Sequence, residues 1–228
     1  MTQDVIFVSH GMPTVALGDS PSIRHWRDLG QRLQQRRPQA VLVISAHWQT
    51  EPITLGSAAQ PETIHDFYGF DEALYSLQYP APGNPGLAAM LARDLRQAGW
   101  DAVVDDRQGM DHGAWIPLRE LLPDAATPVI PLALPRTLDA RQLLQLGRDL
   151  ARYRQQGIAI IASGASSHNL RAILAGQPMT QPPAWLTGFQ QWLRQQISAN
   201  QIASLVTTSR RPLICSKTIR RTNICGPY

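Results

Sequence analysis

Residues 40–47 read Ala-Val-Leu-Val-Ile-Ser-Ala-His, and the reading of this stretch divides the rest of the chain. Ala40–Ser45 is an uncharged, β-branched run with no polar alternation. Such a run marks a strand covered on both faces, as in a parallel sheet flanked by helices. Runs of the same kind occur at Val5–Val8, Ala102–Val104, Pro128–Leu134 and Gly157–Ser163. Helical patterns lie between them. Ser20–Gln35 opens with Ser-Pro, a helix start signal, and carries Ile23, Trp26, Leu29 and Leu33 at helical spacing. Pro85–Ala98, Leu138–Gln155 and Pro183–Asn200 are the other helices. Strands alternating with helices predict an α/β fold: a single domain with a central, mostly parallel or mixed sheet and helices on both faces. A chain of 228 residues suits one such domain.

The charge is unevenly placed. The chain is formally +4, but Arg210, Arg211, Lys217, Arg220 and Arg221 lie in residues 207–228, which hold no acidic residue. The remainder carries 16 basic and 17 acidic side chains, so it is nearly neutral. That balance argues against a nucleic-acid partner. Cys215 and Cys225 also fall in the tail. A cysteine-free body fits a cytoplasmic protein without a disulfide framework. No apolar run has the ~18 residues of a membrane helix, and no basic region precedes the first apolar stretch, so neither membrane span nor signal peptide is expected.

The six histidines carry the chemistry. His10 follows the first strand, His47 the second, and His168 follows Gly157–Ser163 by a few small residues. Ligands of open α/β sheets bind beyond the carboxyl ends of the strands, where three imidazoles could hold a divalent metal with room for substrate. A lone histidine after a strand is more often a loop or core residue, and the pattern by itself leaves both readings open. His112, in Asp-His-Gly-Ala-Trp, stands just before a further helix; Asp111 either bonds its ring and fixes the tautomer or simply caps that helix beside an incidental histidine. His65 sits in Glu62–Pro85, a long aromatic stretch rich in Gly and Pro that reads as a loop or lid. His25, on a helix, reads as surface or packing. No dinucleotide, phosphate-loop or nucleophile-elbow motif is present.

The strings SHGMP (Ser9–Pro13), SAHW (Ser45–Trp48), TIHDFYGF (Thr63–Phe70), ALYSLQYPAPG (Ala73–Gly83), DHGAWIPL (Asp111–Leu118) and ASGASSHNLR (Ala162–Arg171) occur in that order. As an ordered set over residues 4–206, they resemble the class III, LigB-like extradiol ring-cleavage dioxygenases, in the DOPA 4,5-dioxygenase-like branch. The resemblance implies O2-dependent opening of a small catechol at a non-haem Fe(II) centre, with Zn(II) often recorded in bacterial members. It implies His10 and His47 as metal ligands and His168 as either a further ligand or the acid/base beside the metal. It implies a catalytic role toward substrate or oxygen for His112 and a substrate-pocket position for His65. Tyr79, with Tyr68 and Trp48, is expected either to line an aromatic substrate pocket or to pack in the core. A neutral histidine suits the acid/base work, because a chelating catechol must lose protons. A metal-dependent hydrolase and a non-catalytic metal-binding protein remain competing readings.

The resemblance stops at the tail. The family closes with a His-Pro-Thr-x-Glu-His motif that supplies one more ligand, and this chain has no histidine after His168. Reading the codons of Thr218–Tyr228 one base earlier, with permitted third bases, yields Asn-His-Pro-Thr-Asp-Glu-His-Leu-Arg-Pro-Leu. Residues 1–206 therefore read as the catalytic domain. Residues 207–228 read as an aberrant basic tail, either the product of a frameshift near Thr207 or the genuinely different tail of a divergent member; loss of the closing ligand is expected to weaken metal binding and activity.

Overall fold

The computed structural model describes residues 1–166 and 182–207; His168 and the tail from residue 208 on lie outside the described residues. The chain divides into two compact units, Met1–Gly164 and the part from Ala165 onward. In the second unit the described elements are two helices, α6 (Ala184–Ser198) and α7 (Ile202–Thr207). Phe189 and Trp192 stack on α6, with ring centroids 5.8 Å apart.

The first unit is built on a six-stranded sheet of β1 (Val5–Ser9), β2 (Ala40–Thr50), β3 (Ile53–Gly56), β4 (Ala102–Asp105), β5 (Val129–Pro135) and β6 (Ile158–Gly164). The strand order is β1-β6-β2-β5-β3-β4. The first four in that order are parallel, β3 meets β5 antiparallel at Leu55 and Leu132, and β4 runs parallel to β3. The expected α/β class and mixed sheet are both present. The helices are α1 (Pro21–Gln35), the short α2 (Glu72–Tyr75), α3 (Pro85–Gln97), α4 (His112–Leu121) and α5 (Ala140–Ala151).

Alternation along the strands fills two cores. Val41 and Val43 of β2 join Ile6, Val8 and Ile161 against Ile23, Trp26 and Leu33 of α1 and Trp115 and Leu118 of α4. Leu42 faces the other way, with Ile130, Leu132 and Ile160 against Leu91 and Leu95 of α3 and Leu146 and Leu150 of α5. The sheet is thus covered on both faces, which is why its central strands lack polar alternation. The helices begin at side-chain caps: Ser20 for α1, Asn84 for α3, Asp111 for α4 and Asp139 for α5 accept from backbone N–H groups of the first turn. The helix expected over Leu138–Gln155 is α5 followed by a 3-10 turn, Arg152–Gln156, which ends at Gly157 in the left-handed region.

Two departures from the expected strands shape the site. β2 continues past Ser45 to Thr50, so His47 lies within the strand. Its register against β5 jumps: Ser45 pairs Ala133, and the next pair is Gln49 with Leu134. Residues 46–48 are therefore looped out against a single step of β5, a bulge that re-aims His47. The second departure is β3, which is only four residues long and starts directly after Pro52.

Candidate metal centre

The site gathers at the carboxyl ends of β1, β2 and β6 and at the N-terminus of α4. His10 directly follows β1, and its backbone N–H donates to Gly164 O at 3.0 Å, extending the β1–β6 ladder by one bond. His47 sits in the β2 bulge. His112 is the first residue of α4. One ligand-capable atom from each of these three histidines lies within 4.8 Å of the others. Ring centroids are 4.9 Å apart for His10–His47, 5.4 Å for His10–His112 and 4.1 Å for His47–His112. His10 and His112 are each 6% exposed.

A glycine makes the approach possible. A Cβ at Gly113 would lie 2.6 Å from Ser45 Oγ, 2.9 Å from His47 Cδ2 and 3.0 Å from His10 Cε1. Only a residue without a side chain lets α4 start this close to both imidazoles.

The ring of His10 is oriented by a short relay. Pro117 lies inside α4 and has no N–H for the carbonyl four residues back, Gly113 O. The Ser163 hydroxyl, at the end of β6, donates to that carbonyl instead. A serine has one hydroxyl proton, so toward His10 Nδ1, 2.8 Å away, Ser163 accepts. Nδ1 of His10 therefore carries the proton and Nε2 keeps its lone pair. His47 Nε2 stands 3.0 Å from His10 Nε2.

Two carboxylates support the cluster. Asp66 Oδ1 accepts from both the backbone N–H and the ring Nδ1 of His112, each at 2.8 Å. Its Oδ2 lies 3.7 Å from His47 Nδ1. Burial works to raise the Asp66 carboxyl, but the His112 hydrogen bonds and the charges of His112 and His47 outweigh it, and the group is held below the usual carboxylate range. Asp111 does not bond the His112 ring, as its position in the sequence suggested. It caps α4 at Ala114 N and accepts the Ser45 hydroxyl. Burial pushes its carboxyl up to about 6, helped by the nearby negative charge of Asp66 and opposed by the Ser45 hydrogen bond.

The stretch Glu62–Pro85 is tied to the body rather than hanging over it. Ile64 N donates to Met110 O and Met110 N to Glu62 O, both at 2.8 Å. Trp115 Nε1 donates to Ile64 O at 3.0 Å. This pairing runs Asp66 alongside His112. It also brings Phe67 edge-on to His112, at 5.6 Å between centroids. His65 is one ring further out: its Nε2–H donates to Leu77 O at 3.0 Å, and Phe67 and Trp115 pack edge-on to it at 5.7 and 5.6 Å. Tyr79 is not gathered at the cluster. It is 1% exposed and its hydroxyl donates to Leu122 O in the apolar core. Tyr68 is 69% exposed, Trp48 is half-buried in the β2 bulge, and His25 is exposed on α1.

Among the described residues, then, the structure joins His10 and His47 to His112, with Asp66, Ser163 and Gly113 as members that sequence reasoning passed over. Asp66 stood beside His65 in a quoted motif. The placement of Ser163 could have been suspected from Pro117, four residues after Gly113. The donor set fits a divalent metal. Two nitrogens each about 2.0–2.1 Å from one tetrahedral ion lie roughly 3.3 Å apart, close to the 3.0 Å between the Nε2 atoms of His10 and His47. No described helix is long and apolar enough to cross a membrane.

A covered α/β sheet with three histidines at its strand ends and a helix N-terminus defines a histidine-centred metalloprotein site on a doubly covered sheet. Residues 4–214 match the family described as the catalytic LigB subunit of aromatic ring-opening dioxygenase, and the chain belongs to that family of metal-dependent enzymes, in its extradiol, DOPA-dioxygenase-like branch. The 4,5-DOPA dioxygenase extradiol of Escherichia coli (strain K12) is 38% identical over 195 residues, 85% of this chain and 70% of that one. The protein of the same name from Beta vulgaris is 35% identical over 198 residues, 86% of this chain and 73% of that one. Dioxygenase tasH of Hapsidospora irregularis is 40% identical over 182 residues, 75% of this chain and 56% of that one. The crystal structure of the uncharacterized protein JW3007 from Escherichia coli K12 superimposes with a TM-score of 0.75 at 30% identity, covering 93% of this chain and 81% of that one.

Proposed function

We propose that this chain is a cytoplasmic enzyme that opens the ring of a DOPA-like catechol with O2, using Fe(II), with Zn(II) able to occupy the same place. The observation that carries the reading is the convergence of His10, His47 and His112 within 4.8 Å, inside a chain that belongs to the ring-opening dioxygenases. His10 and His47 would hold the metal, and His168, outside the described residues, is the expected third ligand or acid/base. A bound ferrous ion supplies the redox-active Lewis-acid centre at which catechol and O2 meet.

The remaining work falls to the protein. His112 stands at the cluster with a ring that can accept a proton from a catechol hydroxyl and later return it. Phe67 and His65 give an aromatic wall on the Asp66 side of His112. Anaerobic loading with Fe(II), followed by L-DOPA and then O2, tests the reading. A yellow ring-opened product with matching O2 uptake is expected. Ester or amide turnover without O2 would instead favour a hydrolase.

The proposal extends to the tail. We place residues 1–206 in the catalytic region and take residues 207–228 as the product of a shifted reading frame, although the family match runs a few residues further, to 214. Five basic residues and both cysteines of the chain fall in this short segment. With permitted third bases, the frame one base earlier can encode a histidine-rich C-terminus. Resequencing the gene decides the matter: a frame without His-Pro-Thr-x-Glu-His after residue 217 refutes it. If the shift is real, the restored version should bind metal more tightly and turn over faster than the present chain.

A further inference from the structure

We propose that Asp66 is a positioning residue that sets the tautomer of His112 and ties that ring to His47. The geometry is specific. One carboxylate oxygen, Oδ1, takes both the backbone N–H and the ring Nδ1 of His112 at 2.8 Å. A carboxylate can only accept, so Nδ1 must carry the proton, and Nε2 is left as the ring's lone-pair nitrogen. The other oxygen, Oδ2, faces His47 Nδ1 at 3.7 Å. One side chain therefore addresses the outward nitrogens of two histidines in the cluster.

Asp66 is held in place by contacts that do not involve the cluster. The backbone bridge between Thr63 and Met110 runs parallel. It brings the residues that follow Thr63 alongside those that follow Met110. Trp115 Nε1 anchors Ile64 O from inside α4. Gly109 allows the crossing, because a Cβ there would lie 2.4 Å from Glu62 O. The carboxylate thus reaches His112 from a fixed strand-like segment, with its side chain 26% exposed. His10 is oriented by a neutral hydroxyl, Ser163; His112 is oriented by an anion. The pair gives two rings the same tautomer by different means. A cation held among the rings would meet the negative charge of Asp66 just outside them, the arrangement that raises ligand basicity at histidine metal sites.

The consequence for metal binding rests on the proposed function, whereas the tautomer does not. Long-range 1H–15N spectra of the full 228-residue chain, free of metal and at about pH 8.5, where an ordinary imidazole (pKa ~6.5) is neutral, read the tautomer directly. His112 should show its proton on Nδ1. Asp66→Asn, whose amide oxygen still accepts, should keep that tautomer. Asp66→Ala should move the ring to a mixture. Zn(II) affinity, read by competition with a chelator, should fall in Asp66→Ala, because the negative charge beside His47 is lost, and should fall in Asp66→Asn as well, since the amide restores the His112 acceptor but not the charge.

A wild-type ring protonated on Nε2 overturns the proposal. So does an Asp66→Ala ring that stays wholly Nδ1-protonated. If Asp66→Ala does not fold, the wild-type and Asp66→Asn spectra still decide. A wild-type chain with the stated tautomer and no Zn(II) affinity upholds the role of Asp66 and sinks the proposed function, so the two fail separately.

Discussion

Ser163 and Pro117 act on the same carbonyl: the proline withholds a helical donor from Gly113 O, and the serine supplies one from another element. The relationship turns a helix defect into a fixed hydrogen bond at the edge of the metal centre. Replacing Ser163 with Ala leaves a buried carbonyl without its donor and His10 Nδ1–H without its acceptor. The expected cost is about 1–3 kcal/mol of stability and roughly 10–100-fold in metal affinity. Urea unfolding and chelator competition measure the two. In a Pro117→Ala background, α4 gains an N–H for Gly113 O, so Ser163→Ala should cost less there. A coupling below about 0.5 kcal/mol in the double-mutant cycle would disprove the relay.

Gly113→Ala tests the close approach of α4. The added carbon would fall 2.6 Å from Ser45 Oγ and 2.9 Å from a carbon of the His47 ring. Overpacking of this kind costs about 1–3 kcal/mol, and here the strain acts on the cluster itself. The expected result is a loss of metal binding out of proportion to the loss of thermal stability. A variant that unfolds earlier yet binds Zn(II) as the wild type does would contradict it.

Asp111→Ala removes the α4 cap and the acceptor of the Ser45 hydroxyl. Loss of a helix cap costs about 1–2 kcal/mol. Asp111→Asn keeps an acceptor and should recover most of that stability in the same denaturation experiment. Equal losses in the two variants would mean that charge, not capping, is what matters.

Tyr79→Phe separates packing from substrate binding. The Tyr79 hydroxyl donates to Leu122 O inside the core, and burial pushes it well above the ordinary tyrosine range. The substitution should lower stability by about 1 kcal/mol and leave KM for a catechol unchanged in the Fe(II)-loaded enzyme. A raised KM at unchanged stability would return Tyr79 to the pocket.

How much of this was legible beforehand follows from what each residue depends on. Ala40–Ile44 is visible because both faces of that stretch of β2 are packed, which removes polar residues from the run; Val5–Val8 is visible only as an apolar, β-branched run, since Val5 and Phe7 on one of its faces are exposed. β3 was missed because Ile53–Gly56 is shorter than any pattern that periodicity can register and follows Pro52 directly. His10 and His47 were placed by the strands before them. Asp66 could not be placed that way, since its position is set by a bridge between Thr63 and Met110, 47 residues apart in sequence. Asp111 reads equally as a partner for the His112 ring or as a helix cap, and the structure selects the cap. Tyr79 was ambiguous because an aromatic residue near Gly and Pro reads equally as pocket or core.

The bulge at residues 46–48 has a consequence for how the site responds to substitution. Pairing of β2 with β5 is set by Val41–Ser45 before the bulge and by Gln49 and Thr50 after it. The looped-out residues contribute nothing to that ladder. Ala46, His47 and Trp48 are therefore relieved of β5 pairing, so a substitution at His47 should disturb the histidine cluster while leaving the hydrogen bonds between β2 and β5 in place.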